Sequence, residues 1–212
     1  MLEVKNISTG YEKNQVLQNV SLTAEPGEIT LLTGGNGSGK STLLKCIYGL
    51  IPIWNKNGEI LFQNEEISKY DSSKLVKFGI VYIPQKENYF ETLTIQENLM
   101  VSGSTYSKYE IKQRQEYVYQ LPKLYEFRNR KPFSLSGGEK QLLALGNALM
   151  HKPKFILFDE PFTGLDAANT NIMIKQIINL KQQGIGMLIV EHKKVLNSHS
   201  NKVIKLKLGK TK

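Results

Sequence analysis

Glycines, a lysine and hydroxyls crowd into one stretch, Gly34 to Thr42, which reads GGNGSGKST. Gly34 is followed after four residues by Gly39, Lys40 and Ser41. An apolar run, Glu28 to Thr33, precedes the stretch and a helix-compatible run, Leu43 to Tyr48, follows it. Strand, glycine-rich loop and helix form the setting in which such a loop wraps phosphate. Small residues let the backbone N–H groups of Gly35, Asn36, Gly37, Ser38, Gly39 and Lys40 close around a β-phosphate, and the helix that follows Thr42 adds its positive N-terminal end. Lys40 is expected to reach the β- and γ-phosphates and Ser41 to ligate Mg²⁺. The spacing predicts a site for a nucleoside triphosphate.

Two further stretches carry chemistry. Phe155-Ile-Leu-Phe-Asp-Glu160 sets two carboxylates after four apolar residues. A buried strand of that kind delivers the acids to its C-terminal end, where phosphate-binding folds gather their ligands. Asp159 is expected to hold Mg²⁺, through water, opposite Ser41. Glu160 is expected to polarise the water that attacks the γ-phosphate. In Leu135-Ser-Gly-Gly-Glu139, Ser136 can cap a helix while Gly137 and Gly138 leave its first N–H groups bare, giving a second anion-binding helix end. Whether two such ends, far apart in sequence, meet one nucleotide is a question of geometry.

The elements that must position these residues can be read from periodicity. Met1 to Ile7 alternates as a half-buried strand would, Thr9-Gly10-Tyr11 reads as a turn, and Val16 to Leu22 reads as a second strand. Tyr11 is thereby expected on a loop, where its ring either stacks on a purine or closes a hairpin at the surface. Further strands are expected at Glu59 to Phe62, Phe78 to Ile83, Phe155 to Phe158, Met187 to Val190 and Val203 to Leu206. Helices are expected at Thr94 to Val101, Lys108 to Leu121, Ser136 to Met150 and Ala167 to Gln183. Strands alternating with helices around a phosphate loop predict an α/β fold with a mainly parallel sheet. The reading is one domain over residues 1–212, with a core from 1–87 and 151–212 and an inserted helical subdomain from 88–150.

Composition limits the class. A chain of 212 residues is about one large domain. No apolar run approaches the roughly 18 to 20 residues that cross a bilayer, and the first residues carry no export signal, which favours a cytoplasmic location. The lone cysteine, Cys46, is expected to pack as a small apolar residue. The net charge of +9 is spread out, with a mild concentration at Lys202, Lys205, Lys207, Lys210 and Lys212. That fits a solvated face or nearness to anionic lipid, and lacks the basic stripe with interleaved aromatics that single-strand binders use, so no nucleic acid is expected.

Nearly end to end, from about Leu2 to Leu208, the sequence resembles the nucleotide-binding subunit of an ATP-binding cassette (ABC) transporter. The resemblance implies a P-loop NTPase core with an N-terminal antiparallel β subdomain, ATP and Mg²⁺ as ligands, and hydrolysis coupled to a separate transmembrane permease. It implies that Tyr11 stacks on adenine, that Gly34 to Thr42 is the Walker A loop, and that Phe155 to Asp159 is Walker B with Glu160 the catalytic carboxylate. Gln85, in Tyr82-Ile-Pro-Gln85, then contacts Mg²⁺ and the attacking water. His192, in Ile189-Val-Glu-His192, hydrogen-bonds the γ-phosphate. Ser136, Gly137 and Gly138 belong to the signature loop, which grips the nucleotide held by the opposite subunit of a homodimer or heterodimer, and Gly164-Leu165-Asp166 lies where the subunits touch. Lys86 to Phe90 is expected to face the permease. The signature and the Val190-Glu191-His192 run look similar to the ATPases of branched-chain amino-acid importers and of lipopolysaccharide export. Asn147 stands where those relatives carry arginine and Gly35 where proline is common, and the C-terminal helices that many relatives carry have no counterpart after the last strand. A soluble, non-transport ABC ATPase is the alternative reading.

Overall fold

The computed structural model describes residues 1–86, 88–192 and 194–211. Glu87, in the stretch expected to face a permease, and Lys212, in the basic tail, lie outside the described residues. Two sheets carry the chain. An antiparallel sheet of order β2-β1-β4-β5 is built from β1 (Leu2–Tyr11), β2 (Asn14–Ala24), β4 (Glu59–Phe62) and β5 (Glu65–Glu66). The second sheet has order β10-β9-β3-β8-β7-β6. Its strands are β3 (Ile29–Thr33), β6 (Ile80–Ile83), β7 (Phe155–Asp159), β8 (Gly186–Val190), β9 (Lys202–Lys207) and β10 (Lys210–Thr211). All run parallel except the short edge strand β10. The helices are α1 (Lys40–Ile47), α2 (Ser72–Phe78), α3 (Ile95–Ser102), α4 (Lys108–Val118), α5 (Gly137–Leu149) and α6 (Ala167–Gln182).

The apolar runs of β3, β7 and β8 are buried on both faces, as the inner strands of a parallel sheet must be. In β7, Ile156 and Phe158 point into a core that also takes Leu142, Leu143, Met173 and Ile177 from α5 and α6. Phe155 and Leu157 point the other way, into a core shared with Leu43, Leu44 and Ile47 of α1 and with the antiparallel sheet. Burying each such side chain contributes about 1.5–3 kcal/mol. Cys46 lies in this second core, and burial pushes its thiol up to about 12, so it packs rather than reacts.

Strand pairing sets the site. Leu32 is level with Val190, Val190 with Asp159, and Phe158 with Ile83. The C-terminal ends of β3, β8, β7 and β6 therefore finish along one edge, and the segments that follow them emerge side by side.

Three expectations need correction. The first strand does not end at Ile7, and Thr9-Gly10-Tyr11 is not a turn: β1 runs on through Tyr11, opposite Asn14. Leu2, Val4 and Ile7 are all buried although their spacing breaks alternation, because a bulge at Asn6 (φ 50°) absorbs one residue, and Asn19 (φ 50°) does the same in β2. A Cβ on Gly10 would overlap the Asn14 carbonyl oxygen, so glycine there marks two strands pressed together. Tyr11 accordingly ends a strand instead of riding a loop. The run Phe78 to Ile83 is likewise not one strand. Phe78 closes α2, Gly79 (φ 103°) caps it by donating to the Leu75 and Val76 carbonyls, and β6 starts at Ile80. The expected helices hold to within a few residues of their bounds, while α2, β5 and β10 were not anticipated. Of these, α2 buries only Leu75, too little apolar signal to read.

The chain returns to the phosphate loop at its far end. In the turn between β9 and β10, the Gly209 N–H donates to the Ser38 carbonyl at 3.2 Å, and the Gly209 carbonyl accepts from the Gln18 N–H at 2.8 Å. Thr33 Oγ1 donates to the Ile204 carbonyl at 3.2 Å.

Candidate nucleotide site

At the shared strand edge lies an open cleft of about 850 Å³. Its lining includes Val16, Asn36, Gly37, Gly39, Lys40, Ser41, Thr42, Gln85, Glu160 and His192. The loop after β3 turns through Gly37 (φ 73°) and Gly39 (φ 99°), and Gly39 sits at the N-terminus of α1. A Cβ built on Gly35 or Gly37 meets nothing within 4 Å, so the loop is a cradle with free space at those two glycines. Lys40 is buried, and its ammonium donates to the carbonyls of Gly34 and Gly35 at 3.1 and 3.0 Å. Burial lowers its pKa from the usual lysine range, against the pull of Glu160 and Asp159. An ammonium so placed, beside a helix N-terminus and open backbone N–H groups, favours a multiply charged anion.

Asp159 is buried at the end of β7. Ser41 Oγ donates to its Oδ1 at 3.1 Å and the Tyr82 hydroxyl to its Oδ2 at 3.3 Å. Burial raises its carboxyl above the usual aspartate range, those two hydroxyls oppose the rise, and Glu160 adds to it. A buried carboxylate with an alcohol beside it is a hard, oxygen-only donor set, which suits Mg²⁺. Among the described residues no group of three or more His, Cys, Asp or Glu side chains could enclose a metal by itself.

Glu160 has left-handed backbone (φ 50°), uncommon for a side chain of its size, and its N–H donates to the Val190 carbonyl at 2.9 Å. That turn aims the carboxylate into the cleft. There Oε2 accepts from Gln85 Nε2 at 2.6 Å and from Thr163 Oγ1 at 2.9 Å, while Oε1 lies 3.0 Å from His192 Nε2. The adjacent Glu191 accepts from the His192 N–H at 2.7 Å and fixes the turn after β8.

Of the residues singled out in the sequence, the phosphate loop, Gln85, Asp159, Glu160 and His192 thus come together. Tyr11 is not among the lining residues; it stands at the end of β1, half exposed, near enough to Tyr82 to affect it. Ser136, Gly137 and Gly138 do not reach the cleft either. Ser136 caps α5 in a reciprocal box with Glu139, and Gly138 packs against Asn169 at the start of α6. Asn147 donates to the Asn88 carbonyl at 3.0 Å, tying α5 to the segment after Gln85. Sequence reasoning missed Val16, Tyr82 and Thr163. Thr163 was the most findable, since it follows Glu160 by three residues and one turn brings it back onto that carboxylate.

A protein-family model described as ABC transporter matches residues 17–163. The chain belongs to the ABC transporter family. Among its curated ABC relatives is a probable branched-chain amino acid transport ATP-binding protein LivF of Archaeoglobus fulgidus, 36% identical over 90% of this chain and 81% of that protein. The lipopolysaccharide export system ATP-binding protein LptB of Escherichia coli is 35% identical over 90% of this chain and 80% of its own length. Among solved ABC structures, a nucleotide-free ATP-binding cassette superposes with a TM-score of 0.91 at 27% identity, covering 100% of this chain and 89% of that one. A dimeric cassette, MJ0796, in a post-hydrolysis state bound to ADP and Pi gives 0.87 at 28% identity, covering 100% and 97%. This chain is therefore the ATP-binding subunit type of that family, with its P-loop NTPase fold.

Proposed function

We propose that this ABC subunit hydrolyses ATP and drives a separate transmembrane permease by closing head-to-tail on a second such subunit. The observation that carries the reading is the Glu160 carboxylate, oriented by Gln85, Thr163 and His192 at the rim of a lysine-bearing phosphate cradle. In this mechanism the triphosphate lies in the cradle and the Lys40 ammonium moves from the Gly34 and Gly35 carbonyls to the β- and γ-phosphates. Ser41 and Asp159, with the amide oxygen of Gln85, would hold Mg²⁺, which when bound neutralises phosphate charge. Glu160 accepts the proton of the attacking water, and His192 bonds the γ-phosphate. Positioning and electrostatics supply the acceleration. In this reading the Tyr11 ring packs on the adenine.

The capped end of α5 supports the two-chain form. Its Ser136, Gly137 and Gly138 are not among the residues that line their own cleft, as expected of a helix end that grips ATP held by a partner, identical or different. ATP then bridges two subunits and hydrolysis removes the bridge. Among the described residues no helix is long and apolar enough to cross a membrane, so in this reading the subunit sits peripherally on the cytoplasmic side against its permease. Cargo choice lies with that permease: LivF and LptB are described for branched-chain amino acids and for lipopolysaccharide, cargoes with nothing chemical in common.

The test is coexpression with a polytopic membrane protein encoded beside this chain. The two are expected to copurify in detergent, with ATPase activity raised by reconstitution in lipid. Turnover accelerated by nucleic acid, with no membrane partner retained, would replace the transport reading with a soluble, non-transport ATPase.

A further inference from the structure

Asp159 receives a hydrogen bond on each carboxylate oxygen, and the donors come from different elements. Ser41, on α1, serves Oδ1, and Tyr82, on β6, serves Oδ2. Tyr82 is itself fixed. Its backbone pairs level with Leu157 of the neighbouring strand, and its ring packs on Tyr48 with centroids 5.6 Å apart. A carboxylate held at one oxygen still turns about its last side-chain bond, whereas one held at both keeps its plane. The Oδ2 partner is thus the element that leaves the remaining lone pairs of Asp159 facing one direction.

We propose that Tyr82 is a positioning residue for the metal-binding carboxylate: its hydroxyl locks the plane of Asp159 so that Asp159 and Ser41 present their oxygens to one Mg²⁺. This rests on the reading above that those two residues hold the ion. Tyr82 touches neither substrate nor metal in this role; it acts through Asp159. Partners of that kind are worth about 10- to 100-fold in metal affinity, and the 3.3 Å length favours the lower end.

Tyr82→Phe removes one oxygen and keeps the ring on Tyr48. The experiment follows binding of a fluorescent ATP analogue to the purified chain, first in EDTA and then across a Mg²⁺ titration. In EDTA the variant is expected to match the wild type. The Mg²⁺ concentration for half-maximal tightening is expected to rise about tenfold, with an unchanged melting midpoint. An identical Mg²⁺ dependence in the two proteins would overturn the proposal. So would an equal loss of affinity in EDTA, since the hydroxyl would then be supporting the whole site. A wild-type chain whose nucleotide binding ignored Mg²⁺ would instead count against the ligand assignment of Ser41 and Asp159, a failure distinguishable from that of Tyr82.

Discussion

Replacing Glu160 with glutamine is expected to give a protein that binds Mg-ATP as tightly as the wild type yet turns it over about 10²–10⁴-fold more slowly, the usual weight of a positioned base. The hydrogen bonds around Glu160 explain why binding survives. One carboxylate oxygen accepts from Gln85 and Thr163, and a glutamine carbonyl oxygen can do the same. The other faces His192 Nε2, and an amide NH₂ there donates to a neutral imidazole in place of accepting from it. Shape and contacts persist while the group that takes a proton from water is gone. With hydrolysis stalled, the ATP-bridged pair is expected to accumulate. Phosphate release and sedimentation with and without Mg-ATP test both halves: brisk turnover would remove Glu160 from its assigned role, and a stalled enzyme that stays monomeric would argue against the shared site.

A methyl group at Gly34 is expected to do more damage than one at its neighbour. At position 34 a Cβ would overlap the Leu206 carbonyl oxygen and come within 2.7 Å of Ser38 Oγ. Leu206 cannot step aside cheaply, because it is paired with Thr211 and its neighbour Lys205 with Thr33. The phosphate loop must shift instead. Gly34→Ala is therefore expected to cost about 1–3 kcal/mol of stability, the range for overpacking a well-filled site, and to weaken ATP binding. At position 35 the added atom meets nothing, so Gly35→Ala should leave the urea midpoint unchanged and weaken only nucleotide binding by filling space meant for phosphate. Denaturation and nucleotide titration on the pair separate the two effects. Equal midpoints for both variants would show that the Leu206 wall is softer than its pairing implies.

What could be read in advance was whatever lies within a few residues along the chain. The phosphate loop, the strand ending in Asp159 and Glu160, and the capped start of α5 are contiguous, and their apolar flanks are long enough to declare strand or helix. What could not be read depends on contacts across the sheet. Tyr82 and Asp159 stand 77 residues apart, and Gln85 and Glu160 stand 75 apart; only parallel pairing of β6 with β7 makes them neighbours. The bulges at Asn6 and Asn19 changed where β1 ends and so moved Tyr11 from a loop onto a strand. The left-handed turn of Glu160, which aims it, leaves no trace in residue type, since glutamate does not advertise that conformation.

The tie from Gly209 to Ser38, and the wall that Leu206 raises against Gly34, bear on how the protein is made. The ribosome delivers the nucleotide-binding loop early, but the backbone that braces it emerges some 170 residues later. A nascent chain arrested when His192 has just left the ribosome has exposed Lys40, Glu160 and His192 of the cleft and still lacks that brace. ATP is thus expected to be captured only once the segment through Gly209 has emerged and closed against the loop, which keeps chains without that segment from consuming fuel or seizing a partner. Tight ATP binding by such arrested chains would show that the loop holds its shape unaided.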